Sequence, residues 1–214
     1  MRYHPATDIK GLIIAFHVEI GSNTDENGLA GDDLLTCRAF KLGKYSYHAG
    51  VVMHEVGHYL QIEALKRADP ENDLFARSAY NRYYYSIFLT ARNLLSLIDS
   101  KYERLPHKSY PEVLLGNIVS TLKKGRRTAS KNGDHALVTK IASAVSAAND
   151  LSNLMKAAYA TRIAADYMPS IKVNFVGSGR FELQGISITD AHNWTARAAT
   201  WCRVILDAWR QVDV

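Results

Sequence analysis

The chain has 214 residues, of which 47% are hydrophobic, and this is enough for one globular domain with a core of its own. Charged residues or glycine interrupt every apolar run before the ~18 residues of a membrane span, and the first residues do not resemble a signal peptide. We therefore expect no membrane segment and a cytoplasmic protein with reduced cysteines, Cys37 and Cys202. The net charge of +5 favours polyanionic partners, but only weakly.

The N-terminal part differs in pattern from the rest of the chain. Residues 9–20 are apolar and β-branched, which predicts a strand, and residues 21–31 are rich in turn-forming Gly, Asn and Asp. The sequence therefore predicts a strand and loop appendage over residues 1–46, followed by a helical domain over residues 47–214.

Five later segments carry apolar residues at the three- and four-residue spacing of amphipathic helices. They cover residues 47–68, 73–99, 111–124, 134–168 and 190–212. Asp73 and Thr189 are the expected N-caps of the second and last of these helices, and Pro111 suits the first turn of the third. The third helix is expected to stop at the basic segment around Gly125.

A β-hairpin is predicted before the last helix. The runs KVNFV and RFELQ flank Val176-Gly177-Ser178-Gly179, which is the pattern of two short strands and a tight turn, expected as a solvent-exposed flap. The predicted fold is mainly α: an antiparallel four- to five-helix bundle with a small N-terminal strand region and a β-hairpin before the last helix.

Charged residues enter the apolar seam of the fourth predicted helix. Arg162 and Asp166 fall on the same line as Leu137, Ile141 and Met155. They are expected either to form a structural i, i+4 ion pair or to line a cleft where the guanidinium holds a phosphate. The second helix likewise interleaves cations and aromatic rings, which suits nucleic-acid binding as well as an ordinary core.

A basic cluster follows the third helix. It is expected to be either a solvated loop or a support for a polyanion. It contains Lys123, Lys124, Arg126, Arg127 and Lys131.

Two segments resemble the HEPN superfamily (higher eukaryotes and prokaryotes nucleotide-binding). SAYNRYYYSIFLTARNLL resembles the R-x-Y-Y-x-x-F helix of these proteins through Arg82, Tyr84, Tyr85 and Phe88. YATRIAADY is similar to the Arg-x-x-Ala-Asp-Tyr segment of one branch through Arg162, Ala165, Asp166 and Tyr167. The last helix also looks like the closing helix of that branch, so the resemblance runs from about residue 48 to the C-terminus.

The resemblance implies a homodimer that acts on RNA. It implies either metal-independent RNA cleavage at a composite site between the protomers, or RNA binding as part of a prokaryotic defence or toxin system that includes a partner protein. HEPN ribonucleases carry an Arg and a His with four to six residues between them, and no Arg of this chain has a His at that spacing. The residue five positions after Arg162 is Tyr167, a poor base at neutral pH.

The implied residues form two sets, and no cofactor is expected for either. The implied catalytic residues are Arg82, Arg162, Asp166 and Tyr167. The implied RNA-binding residues are Arg77, Tyr84, Tyr85, Lys123, Lys124, Arg126 and Arg127.

One motif indicates a different function. HEVGH puts His54 and His58 one helical turn apart, as zinc ligands, with Glu55 as the base of a zinc metallopeptidase. A catalytic zinc needs a third protein ligand, and neither the H-x-x-G-x-x-H extension nor a downstream Glu helix is present. A third alternative is a non-catalytic interaction or regulatory module that uses the Trp-rich last helix.

Overall fold

The computed structural model describes residues 46–177 and 179–212, so the strand predicted over residues 9–20 lies outside the described residues. The helices there are α1 Ser46–Lys66, α2 Glu71–Ile98, α3 Tyr110–Val113, α4 Val119–Lys131, α5 His135–Tyr167 and α6 Ile188–Trp209. The strands are β1 Asn174–Phe175, β2 Phe181–Leu183 and β3 Ile186–Ser187. A π turn over Leu114–Ile118 joins α3 to α4, so these two read as one helix. The prediction of a mainly α fold of up to five helices is confirmed.

Helix α2 lies at the centre of the bundle and packs against α1, α5 and α6. Its tyrosines supply much of the core, since Tyr80, Tyr83 and Tyr84 are almost fully buried. Each such ring contributes on the order of 2 kcal/mol to folding through removal of apolar surface from water. The apolar stripe predicted on this helix is therefore the core of the molecule.

Two glycines let α1 approach α2 closely. A Cβ on Gly57 would lie 2.9 Å from Cε1 of Tyr83, and a Cβ on Gly50 would lie 2.9 Å from Oγ1 of Thr90. Gly57 therefore costs some helix propensity but provides the space in which the Tyr83 ring packs. This packing fixes the HEVGH face of α1 beside α2.

The basic segment is helical, which corrects the expectation of a loop. Helix α4 continues through Gly125 to Lys131, whereas the sequence predicted a stop at this glycine. A Cβ on Gly125 would lie 2.5 Å from Cγ1 of Val212, so the glycine is a contact point between α4 and the C-terminal turn. Tertiary packing here outweighs the low helix propensity of glycine.

The predicted hairpin is present, but it is not a solvent-exposed flap. Strand β1 pairs antiparallel with β2, with Phe175 opposite Phe181, and β2 pairs with the additional strand β3. Phe181 and Leu183 are buried, and the hydroxyl of Tyr80 donates a 2.7 Å hydrogen bond to the Ile186 carbonyl. The sheet therefore covers one part of the helical core.

The structure moves two of the predicted helix starts. Helix α2 begins at Glu71, so Asp73 lies inside its first turn and accepts a hydrogen bond from Val173 N instead of capping the helix. Helix α6 is capped by Ser187, whose hydroxyl accepts from Asp190 N, rather than by Thr189. Asp134 caps α5 at the position where the sequence predicted its start.

Across the described residues, no helix combines the length and the apolar character needed to cross a membrane. Cys202 is a buried free thiol, as expected from the sequence, and burial raises its pKa to about 12. Such a thiol is a packing residue rather than a nucleophile.

Candidate functional site

Three parts of the chain bring polar and aromatic side chains together around Arg162. Helix α5 provides the arginine, α2 provides an amide and two tyrosines, and the turn before α3 provides a histidine. We call this group the Arg162 cluster; its members are Asn81, Tyr84, Tyr85, His107, Arg162 and Asp166.

Arg162 is held in place but keeps free donors. Its Nε lies 2.7 Å from Oδ2 of Asp166, an ion pair without the angle of a hydrogen bond. Asn81 Nδ2 donates to both oxygens of that carboxylate at 2.7 and 2.8 Å. Its Nη2 lies 3.5 Å from the Tyr167 hydroxyl, at the limit of a hydrogen bond, and Nη1 makes no hydrogen bond within residues 46–177 and 179–212. A guanidinium oriented on one edge and open on the other can bind a phosphate.

His107 is oriented by two residues of α2. Its ring stacks on Phe88 with the ring centroids 3.7 Å apart, and its Nδ1 lies 2.9 Å from the Tyr84 hydroxyl. Burial raises the pKa of Tyr84, so this phenol stays protonated and its proton is best satisfied by donation to Nδ1. A neutral His107 then carries its own proton on Nε2, where it can donate to a ligand.

The environment keeps His107 neutral. Burial lowers the pKa of its imidazole below the ordinary value, and the positive charges of Arg162 and Arg92 lower it further. A neutral imidazole near a guanidinium is an arrangement that can bind a phosphate and exchange a proton at neutral pH.

Five residues predicted from the sequence lie in or beside this cluster: Arg162, Asp166, Tyr84, Tyr85 and Tyr167. The predicted ion pair between Arg162 and Asp166 is confirmed. Tyr167 is 64% exposed, and Arg162 Cζ lies 5.2 Å from its ring centroid.

Arg77 lies elsewhere and has a structural environment. It is 8% exposed, its Nε lies 2.6 Å from Oδ2 of Asp73, and its Nη atoms donate to backbone carbonyls. Those carbonyls belong to Ala164, Ala165, Met168 and Ile171. With these donors engaged inside the protein, Arg77 ties α2 to the end of α5 and is poorly placed to contact RNA.

The other predicted cations are also separate from the cluster. Arg82 turns toward α1, where its Nη1 lies 3.9 Å from Sδ of Met53. The basic residues of α4 are exposed. The Ser152 hydroxyl donates a hydrogen bond to the Pro111 carbonyl, and this contact is a common reference point on α5 and α3. With a helix rise of about 1.5 Å per residue counted from that contact, Lys124 and Arg162 lie roughly 30 Å apart.

A second group surrounds the HEVGH motif, and we call it the histidine cluster: His54, His58, His192 and Tyr83. The ring centroid of His192, on α6, lies 4.6 Å from that of His54 and 5.1 Å from that of His58. His54 Nδ1 lies 3.2 Å from Thr195 Oγ1, and His192 Nδ1 lies 3.0 Å from the Tyr83 hydroxyl. The sequence interpretation lacked a third imidazole, and the fold brings His192 to the other two.

The surroundings of His54 and His192 favour neutral imidazoles. Burial lowers the pKa of both His54 and His192, neighbouring histidines lower it further, and Glu55 opposes the effect in both cases. As the side chains stand, no group of three His, Cys, Asp or Glu residues within the described ranges is arranged to hold a metal ion.

Comparison with known proteins provides no relative from which to transfer a role. No family model, curated protein sequence or solved structure matches this chain. The roles of the Arg162 cluster and of the histidine cluster are therefore argued from their geometry.

Besides the core residue Tyr83, sequence reasoning missed three residues of these two groups. His107 was missed because the search for a histidine covered only the positions shortly after each arginine. His192 was missed because a third ligand was sought only in known extensions of the HEVGH motif. Asn81 carries no sequence signal beyond its place next to Arg82, since its partner Asp166 is far away in the chain.

Proposed function

We propose that this protein binds RNA at the Arg162 cluster, as a HEPN-like protein. The proposal rests on the guanidinium of Arg162. This group is oriented by Asp166 and has an open Nη1, and its positive charge adds to burial in lowering the pKa of the His107 imidazole. Arg162 Nη1 and His107 Nε2 are donors of the kind that bind phosphate oxygens.

Aromatic rings beside these donors support a nucleic-acid ligand over a free anion. The rings of Tyr85 and His107 lie 5.7 Å apart edge to face, and Tyr167 lies exposed beyond Arg162. Partly exposed aromatic rings next to a phosphate-binding cation are typical of sites for single-stranded RNA, whose bases stack on them. A homodimer, a cytoplasmic location and a partner protein from a defence or toxin system belong to the same proposal and rest on the sequence resemblance alone.

The test is the binding of labelled single-stranded and hairpin RNA by Arg162→Ala. We expect affinity to fall about tenfold to a hundredfold, the usual value of hydrogen bonds to a charged group. Arg203→Ala removes an exposed arginine of α6 and is the matched control, expected to bind like the original protein. Equal binding by both variants would refute the proposal, and circular dichroism checks that each variant is folded.

The same incubation decides whether bound RNA is cut. Cleavage that persists in EDTA and disappears in His107→Gln would make the protein a metal-independent ribonuclease, with His107 in place of the motif histidine that follows Arg in HEPN ribonucleases. Intact RNA would make it a binding protein.

A further inference from the structure

The histidine cluster joins α1 to α6 beside α2 and is not used by the proposed RNA site. Its three imidazoles are only partly buried, so ions can reach them from solvent. His58 Nδ1 is a buried polar atom that has no hydrogen-bond partner. An unpaired buried nitrogen on a ring that contacts another imidazole, His192, is unusual, and a bound ligand would satisfy it.

A chain of hydroxyl groups fixes the tautomer of His54. Thr195 donates its proton to Ser86 Oγ at 2.9 Å, and Ser86 donates its proton to the Gly50 carbonyl at 2.6 Å. Thr195 Oγ1 has then no proton left for His54, so the contact at 3.2 Å is a donation from His54 Nδ1. The neutral ring therefore keeps a free lone pair on Nε2.

The tautomer of His192 is fixed in the same way by Tyr83. The Tyr83 hydroxyl donates its one proton to Gln61 Oε1 at 2.6 Å. The contact between Tyr83 and His192 Nδ1 at 3.0 Å is then a donation from the imidazole. His192 also keeps a free lone pair on Nε2.

Two neighbouring imidazoles thus have the form that metal ligands take. Metal-bound histidines donate one ring N–H to a fixed neighbour and bind the ion through the other nitrogen. Two imidazoles on one tetrahedral zinc, with Zn–N bonds of about 2.0–2.1 Å, have ring centroids about 5 Å apart. The separations of 4.6 Å and 5.1 Å to His192 agree with that spacing.

We propose that His54 and His192 bind a divalent transition metal ion such as Zn²⁺, and that His58 rotates to become the third ligand. Rotation is needed because no three donors of the described residues converge as they stand. Rotation of His58 breaks no hydrogen bond at Nδ1. Imidazole nitrogens select zinc, nickel and copper over calcium and magnesium.

The proposal is tested by zinc titration of the full chain, prepared without a polyhistidine tag and stripped with chelator. We expect one Zn²⁺ per chain by calorimetry and elemental analysis, and binding weakened more than about tenfold in His54→Ala and in His192→Ala. His135→Ala, which removes an exposed histidine at the start of α5, is the control and is expected to bind zinc unchanged.

Two further variants separate metal binding from loss of fold. His58→Ala removes a ring without a hydrogen bond on Nδ1 and is expected to stay folded while binding zinc more weakly. Thr195→Val keeps all three imidazoles but removes the group that fixes the His54 tautomer, so affinity is expected to fall about tenfold. Absence of stoichiometric zinc, or zinc binding that His58→Ala and His192→Ala leave unchanged, would overturn the proposal. RNA binding through Arg162 is measured separately, so the zinc test and the RNA test can succeed or fail independently.

Discussion

Two arginines of this protein form the same i, i+4 ion pair with an aspartate and have opposite surroundings. Arg77 with Asp73 is buried, and its remaining donors bond to backbone carbonyls. Arg162 with Asp166 keeps an open donor edge beside His107. The two pairs have the same four-residue spacing in opposite order, since Asp73 precedes Arg77 whereas Asp166 follows Arg162. This difference does not decide which guanidinium can bind a ligand; the backbone carbonyls that surround Arg77 do.

Replacement of Arg77 is expected to affect stability rather than binding. Arg77→Met leaves Asp73 without its cation and leaves several carbonyls of the α5 end without a donor, which costs about 3–5 kcal/mol for a broken buried pair. Urea unfolding measures the loss. Arg203→Met is the control, expected to change the unfolding free energy by less than about 0.5 kcal/mol. An Arg77→Met protein as stable as the original would contradict the structural role.

At the scale of single elements, the continuous helix from Tyr110 to Lys131 contains two glycines with different surroundings. Around Gly116, in the π turn, a Cβ would meet no atom within 4 Å. Around Gly125 it would meet Cγ1 of Val212 at 2.5 Å and Cγ2 at 2.8 Å. The first glycine is therefore a weak point of the helix, and the second is a packing contact.

The two positions are expected to respond oppositely to alanine. Gly116→Ala is predicted to stabilise the protein by about 0.5–1 kcal/mol, because alanine has less backbone freedom to lose on folding. Gly125→Ala is predicted to lower the unfolding free energy in spite of the better propensity, because the stiff Val212 side chain must move. Thermal or urea unfolding of the two variants checks this. A higher free energy of unfolding in both variants would contradict the prediction and show that the C-terminal turn moves aside at little cost.

At the scale of the whole molecule, charge is unevenly distributed along the bundle. Helix α4 contains no acidic residue, and its five basic side chains are exposed at one end, roughly 30 Å from the Arg162 cluster by helix rise. They make no salt bridge within the described parts of the chain. An RNA that reaches from the cluster to α4 would gain affinity from these charges without further specificity.

The expected result is a length-dependent salt effect. Replacement of Lys123, Lys124 and Arg127 by glutamine should reduce the salt slope for long single-stranded RNA by about 0.7 per lost phosphate contact. Binding of an RNA too short to span the distance should not change. Equal slopes for the triple variant and the original protein would exclude α4 from the proposed RNA-binding surface.

Much of the fold could be predicted from local patterns, because helical periodicity, Pro and Gly breaks and the hairpin turn are short-range signals. Helix ends were less predictable where several Ser, Thr or Asp residues stand close together, as with Thr189 and Ser187. The helical state of the basic segment was not predictable, since Gly125 is kept in the helix by Val212 from the C-terminal turn. The same limit hid His107 and His192, whose partners are distant in the chain.

The sequence by itself determined the helical class, the tyrosine-rich helix, the hairpin and the four-residue spacing that allows Arg162 to pair with Asp166, because each follows from residues within a few turns of one another. Only the tertiary structure decided that Arg77 is enclosed by carbonyls, that His107 meets Tyr84 and that His192 joins the HEVGH motif. These contacts depend on which faces of α1, α2, α5 and α6 meet, and that choice is made by packing across the whole core.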